Sequence, residues 1–297
     1  MKQRKNHLSA CLIAVAALFS IAPIQGAWAQ TAPNLGAVSN FVVFGGAGVT
    51  CTESTITGAV GSLLTVIPTA TCTITGPIHA GDATAIAAGT AFLTAYDQLA
   101  ADNPCPTDAA HNLSGDLGGL TLSPGVYCIS GVGLLTSQLT LNAGGNSNAV
   151  WIFKAASSLT PKGGSVVMAG GGQACNVYWE TGTAVDLLST DFLGNILAGS
   201  AITFSGVGSS LIGRALAGTA VTATGADIVG CNGTLPPPPP TCDKDHKHHK
   251  HCKHNEHDKP HCDGDDDGHD KDGHDKGDGH DKGDGHDKDD GHDKGGH

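Results

Sequence analysis

The chain has 297 residues, a net charge of −12 at pH 7 and only 4% aromatic residues. Its central part, roughly residues 31–234, carries three cations (Lys154, Lys162, Arg214) against ten acids, a net charge of −7. That balance excludes nucleic acid and anionic membrane surfaces as natural partners.

Residues 1–29 read as a secretory signal peptide: Lys2, Arg4 and Lys5, an apolar run from Cys11 to Ala22, then Ala27-Trp28-Ala29. The run is too short for a lasting membrane span, so the mature protein is expected to be secreted, extracellular and soluble. Composition divides the remainder into a folded domain at 30–234, a Pro-rich linker at 235–241 and a tail at 242–297.

In chain order the domain opens with short β segments, FVVFGG, STITGAV and TCTITG, punctuated by Gly, Pro and Ser. Residues 80–101 are Ala-rich, with Ala83, Ile86, Ala87, Leu93, Tyr96 and Ala100 near helical spacing. Asp82 is read as its cap or a first-turn acid, and Pro104 stops the run. Strands resume at Leu117. Asn176, Asn195 and Arg214 begin evenly spaced segments, and NILAGSAITFS returns as RALAGTAVTAT. A period near 20 residues with several short strands per repeat is the signature of a β-solenoid.

Strand alternation points Ile202, Phe204, Val221 and Ala223 inward. It turns Ala201, Thr203, Ser205, Ala220, Thr222 and Thr224 outward, and in the N-terminal strands Thr55, Thr57, Thr71, Thr73 and Thr75. One period before Thr203 and Ser205 stand Ala184 and Asp186, which interrupts the hydroxyl rows. The domain's six cysteines form an even set in an exported chain. Cys105 with Cys128 is the favoured disulfide, and the pairing of Cys51, Cys72, Cys175 and Cys231 stays open.

The order NFVVFGGAGVT, STITGAVG, GPIHAGDA with its helix, DLGGLTLSPGVYC, NAVWIFK, QACNVYW, GNILA and GRALA resembles the microbial ice-binding (antifreeze) protein family over residues 35–231. The resemblance implies a mainly β fold: a right-handed, triangular, discontinuous β-solenoid with one long helix alongside. It also implies that the N-terminal strands stack on the last coils, bringing Thr55, Thr57, Thr71, Thr73 and Thr75 near Thr222 and Thr224. The partner it implies is an ice surface, met by a flat Thr/Ser/Ala face on a protein expected to be a monomer.

Enzymatic chemistry has little support, and no catalytic residue or required cofactor is assigned. The domain's histidines, His79 and His111, are isolated, and G-x-S-x-G, Walker and H-E-x-x-H patterns are absent from the sequence. FGGAG runs into a strand pattern where a phosphate loop would need a helix. Residues 242–262 are a separate matter: Cys242, Cys252 and Cys262 stand among His246, His248, His249, His251, His254, His257 and His261. Imidazole and thiolate at that density suit weak, multi-site binding of divalent Zn, Ni or Cu. The tail lacks apolar side chains and is expected to be disordered. The alternatives are an extracellular structural or adhesion module on the same scaffold, and a metal-binding protein acting through this tail.

Overall fold

The structure, a computed structural model, describes residues 30–231 and 233. The expected signal peptide, the expected linker and every metal-ligand candidate of the tail lie outside the described residues. Seven short strands between Phe41 and Ala80 precede the single α-helix among the described residues, α1 (Ala83–Asp102), and fourteen strands follow between Asn112 and Val229. No helix among the described residues is long and apolar enough to cross a membrane.

Every strand pairing among the described residues is parallel, and the 21 strands form one continuous sheet wound into three faces, the first, second and third sheets below. Along the first sheet the order is 112–116, 125–129, 151–155, 177–181, 195–198, 214–217, then Phe41–Gly45, Ala59–Ser62 and Ile78–Ala80. The coils starting at Phe41 and Ala59 therefore sit beyond the coil that ends the domain, and Val43 pairs with Ala215. The solenoid is discontinuous, as the resemblance implied.

This topology requires a return path. The chain leaves one end of the stack at Ala80 and re-enters the other at Asn112. Eight coil steps of about 4.8 Å span about 38 Å. The 20 residues of α1 cover about 30 Å, so the helix runs most of the length of the stack. Asp82 caps it, its carboxylate accepting from Ala85 N–H at 2.8 Å. At the other end Lys154 Nζ donates to the carbonyls of Ala100 and Asn103, both at 2.9 Å.

The helix buries Ala85, Ala88, Gly89, Phe92, Ala95 and Leu99. Its buried face packs on Phe44, Val126, Ile152, Tyr178, Leu197 and Leu216, which project outward from the first sheet. This face differs from the one expected: Ile86 and Leu93 are 56% and 60% exposed. In an Ala-rich helix every face is mildly apolar, so periodicity alone does not choose one. The small residues at 85, 88, 89 and 95 let the backbone approach the sheet.

Inside the coils the expected core residues Ile202, Phe204, Val221 and Ala223 are fully buried. Register stacking places Tyr127, Phe153 and Trp179 in adjacent coils, with ring centroids 5.5 and 3.9 Å apart. Phe192 extends this aromatic column at 4.8 Å from Trp179, and His111 closes its other end over Tyr127 at 5.0 Å.

The even spacing of Asn176, Asn195 and Arg214 holds for one step only. Asn195 pairs with Arg214, as the spacing predicts, but its partner in the preceding coil is Tyr178 and not Asn176. Asn176 lies in a short 3-10 turn, Ala174–Asn176, and takes no place in the ladder. A solenoid keeps strand register, and its corners absorb insertions.

Glycine fixes one of those corners. Gly46, Gly218, Gly199 and Gly182 stack where the first sheet bends into the second. A Cβ on any of them would run into a backbone carbonyl of the coil below it. Each instead donates its N–H to the neighbouring coil: Gly46 to Ala217, Gly218 to Ala198, Gly199 to Thr181 and Gly182 to Ala155, at 2.9–3.0 Å. The FGGAG motif is thus a solenoid corner.

Among the described residues two disulfides brace the fold, Cys105–Cys128 as expected and Cys51–Cys72, each with a Cα–Cα distance of 5.7 Å.

Candidate functional site

The second sheet is built from residues 133–135, Leu159–Pro161, Val185–Leu188, Ile202–Ser205, Ala220–Thr224, Gly48–Thr52 and Thr65–Pro68. Alternation sends Val185, Ile202, Phe204, Val221, Ala223, Val49 and Cys51 into the core. The residues between them face outward, and β-branched Thr suits such positions because its χ1 is restricted.

Register turns those outward residues into a grid. Thr203 pairs with Thr222, Thr222 with Thr50, and Thr50 with Ile67. Thr224 pairs with Thr52, and Ser205 continues that column one residue beyond the Phe204–Ala223 pair. Ala220 pairs with Gly48 and Gly48 with Thr65, and Ala201 precedes the Ile202–Val221 pair. Three ranks result: Ala201-Thr203-Ser205, Ala220-Thr222-Thr224 and Gly48-Thr50-Thr52. Spacings are about 6.7 Å along each strand and about 4.8 Å between ranks.

No ionisable side chain stands within these three ranks. Charge begins at the next coil: Asp186 pairs with Thr203, and Leu188, which pairs with Ser205, bridges to Lys162. The interruption is therefore shifted along the strand from where the repeat spacing placed it: Asp186 opposes Thr203, and Ala184 opposes neither hydroxyl. The shorter coil that begins at Tyr178 causes the slip.

The N-terminal candidates do not join this grid. Thr55 and Thr57 lie on the third sheet, against Asp227 and Val229, with Thr73 stacked on Thr55. Thr71 sits at a turn, its hydroxyl accepting from Glu53 N–H at 3.1 Å, and Thr75 follows the strand Thr73–Ile74. The chain turns a corner between Thr52 and Thr55 through Glu53, whose φ is 49°. The strand that does stack on Ala220–Thr224 is Gly48–Thr52, which sequence reading passed over. Its signal was present, because Gly48-Val49-Thr50-Cys51-Thr52 repeats the pattern of Ala220-Val221-Thr222-Ala223-Thr224.

The N-terminal rank is held from behind. Cys51 lies between Thr50 and Thr52, and its inward sulfur is bonded to Cys72. His79 and His111 lie elsewhere, each paired with a nearby carboxylate, Asp82 and Asp108 respectively, at 2.7 Å. Among the described residues no group of three or more His, Cys, Asp or Glu is arranged to hold a metal ion.

Fold and face together define a discontinuous parallel β-solenoid carrying a hydroxyl-bearing surface in strand register. The ice-binding-like family model matches residues 29–229, and the chain belongs to that family. It is 38% identical over 207 residues to an ice-binding protein of Nostoc sp. (strain HG1), covering 67% of this chain and 74% of that one. An ice-binding protein of Flavobacterium frigoris (strain PS1) is 35% identical, over 57% of this chain and 66% of the relative. Among solved structures, an ice-binding protein from an Antarctic biological consortium superposes with a TM-score of 0.64 at 33% identity, covering 71% of this chain and 96% of that one. The ice-binding protein of the Antarctic ascomycete Antarctomyces psychrotrophicus gives a TM-score of 0.62 at 29% identity, covering 69% and 100%.

Proposed function

We propose that this protein adsorbs to ice through the three ranks Ala201-Thr203-Ser205, Ala220-Thr222-Thr224 and Gly48-Thr50-Thr52, and so inhibits crystal growth and recrystallisation. The observation that carries this reading is the register Thr203–Thr222–Thr50, which aligns threonines across three ranks that hold no ionisable side chain. Each Thr hydroxyl anchors a water while its methyl disfavours random hydration. A rigid grid can then hold waters in a pattern continuous with a crystal surface. No chemical step is involved, and no cofactor.

Residues 1–29 support a place outside the cell, where extracellular ice would be met. The protein is proposed to act as a monomer. The His- and Cys-rich tail is proposed to bind Zn, Ni or Cu weakly as an accessory, which metal titration of the full mature chain would test.

The deciding experiment compares thermal hysteresis and ice recrystallisation inhibition for the mature chain and its Thr222→Lys variant. Loss of both activities with an unchanged circular dichroism spectrum supports the reading. Full activity in the variant assigns ice adsorption to another face. Inactivity of the parent itself leaves the structural or adhesion role on this scaffold.

A further inference from the structure

Two cysteines outside the disulfides converge on one buried side chain. Cys175 lies in the 3-10 turn Ala174–Asn176, and Cys231 follows the domain's last strand, Ala226–Val229. Asn195 is fully buried and touches both. Its Nδ2 donates to the Cys175 carbonyl at 2.9 Å, and its Oδ1 accepts from the Cys231 thiol at 3.4 Å. The Cys175 side chain lies beside the Cys231 thiol, and burial together with this neighbour pushes the thiol up. Arg214 Nη1 also donates to the Cys231 sulfur, at 2.8 Å.

We infer that Cys175 and Cys231 are joined in the mature protein as a third disulfide, which fastens the end of the folded domain to the turn that precedes the 177–193 coil. The two existing disulfides already call for an oxidising compartment. Asn195 draws the two residues together, and the Cys175 side chain is close enough to the Cys231 thiol to perturb it, so the pair is placed for a disulfide. In the reaction two S–H bonds break and one S–S bond forms. Two protons and two electrons pass to a disulfide oxidant such as glutathione disulfide, which is reduced to two thiols.

The bond would span three rows of the first sheet. Cys175 sits beside the row of Tyr178, Asn195 lies in the next row, and Arg214, which holds Cys231, lies in the third. In sequence Cys231 stands just before the Pro236–Pro240 run, so the bond also fixes the point from which linker and tail depart. Burial pushes the Cys231 thiol up to about 12. Cys231 therefore presents almost no thiolate once folded, and the bond should form during folding. The inference stands independently of ice adsorption.

The test uses the mature chain with Cys242, Cys252 and Cys262 replaced by Ser, so that tail thiols cannot exchange. The protein is refolded from the reduced, denatured state in a glutathione redox buffer, alkylated and digested with trypsin without reduction. The expected result is a peptide of residues 163–214 linked to residues 215–244. Recovery of both Cys175 and Cys231 as alkylated thiols, with the other two pairs intact, would overturn the inference. Thermal unfolding gives an independent reading. Cys175→Ser, Cys231→Ser and the double variant should show the same fall in Tm, on the order of 10 °C for a loop of this length. Single-variant decrements that add in the double variant would mean packed thiols, and would also overturn it.

Discussion

Thr222 lies directly opposite Thr50 on the adjacent parallel strand, although the helix and most of the solenoid separate them in the chain. The centre of the proposed ice-binding face is therefore a noncovalent seam between the N-terminal coils and the last coil. Thr50→Lys should abolish thermal hysteresis as fully as Thr222→Lys, because either ammonium lands in the middle rows and disrupts ordered water there. Thr57→Lys, on the third sheet, should leave activity within about twofold of the parent, since surface substitutions seldom alter stability by more than about 0.5 kcal/mol. Nanolitre osmometry of the three variants distinguishes the faces.

The Cys51–Cys72 bond should matter more to stability than to the adsorbing surface. Its sequence separation of 21 corresponds to about 3 kcal/mol in the loop-entropy account. The Cys51→Ala/Cys72→Ala double variant should lose about that much in chemical denaturation. Near 0 °C, where the variant remains folded, recrystallisation inhibition should persist because Thr50 and Thr52 keep their register with Thr222 and Thr224.

Much of this architecture is legible in the residues. The twin segments at 195–205 and 214–224 specify parallel coils in register, and their alternation correctly sorts Ile202 and Phe204 from Thr203 and Ser205. The Cys105–Cys128 pair and the helix are legible too. What escapes is long-range placement. Thr55 and Thr222 look equivalent in a strand pattern, but a corner at Glu53 puts them on different sheets. Spacing likewise mistakes Asn176 for a ladder position, because one coil is shorter than the next. Corner geometry depends on what neighbouring coils allow, and a local window does not contain that information.

Glu180 and Lys154 make a pH-dependent contact beside the helix. Their charged atoms are 3.8 Å apart, and Glu180 Oε2 is buried without a hydrogen bond. Burial raises the Glu180 carboxyl above its ordinary value of 4.5, and the Lys154 ammonium offsets this only in part. A carboxyl raised on folding contributes stability below the unfolded value and loses it as pH rises through the folded value. Glu180→Gln should therefore melt higher than the parent at neutral pH, with the difference closing below about pH 4.5. Lys154→Met should be destabilising by roughly 3 kcal/mol, since it removes the helix C-terminal contacts and leaves Glu180 buried and unpaired. Calorimetry across the acid and neutral range checks both signs.

Asp186 marks where the charge-free grid stops. It is exposed and pairs with Thr203, so its carboxylate continues the Thr203–Thr222–Thr50 column by one step. An ionised group there holds its own hydration shell and competes with ice-like order in the adjoining rank. Asp186→Thr would carry the column into a fourth coil with a β-branched side chain suited to the strand. The change is on an exposed strand position, so Tm should shift by no more than about 2 °C. Thermal hysteresis at equal protein concentration should rise. Unchanged activity on Asp186→Thr, with Tm preserved, would mean that ice engages the grid from its N-terminal side, around Thr50, Thr65 and Ile67, and that Asp186 lies beyond the contact.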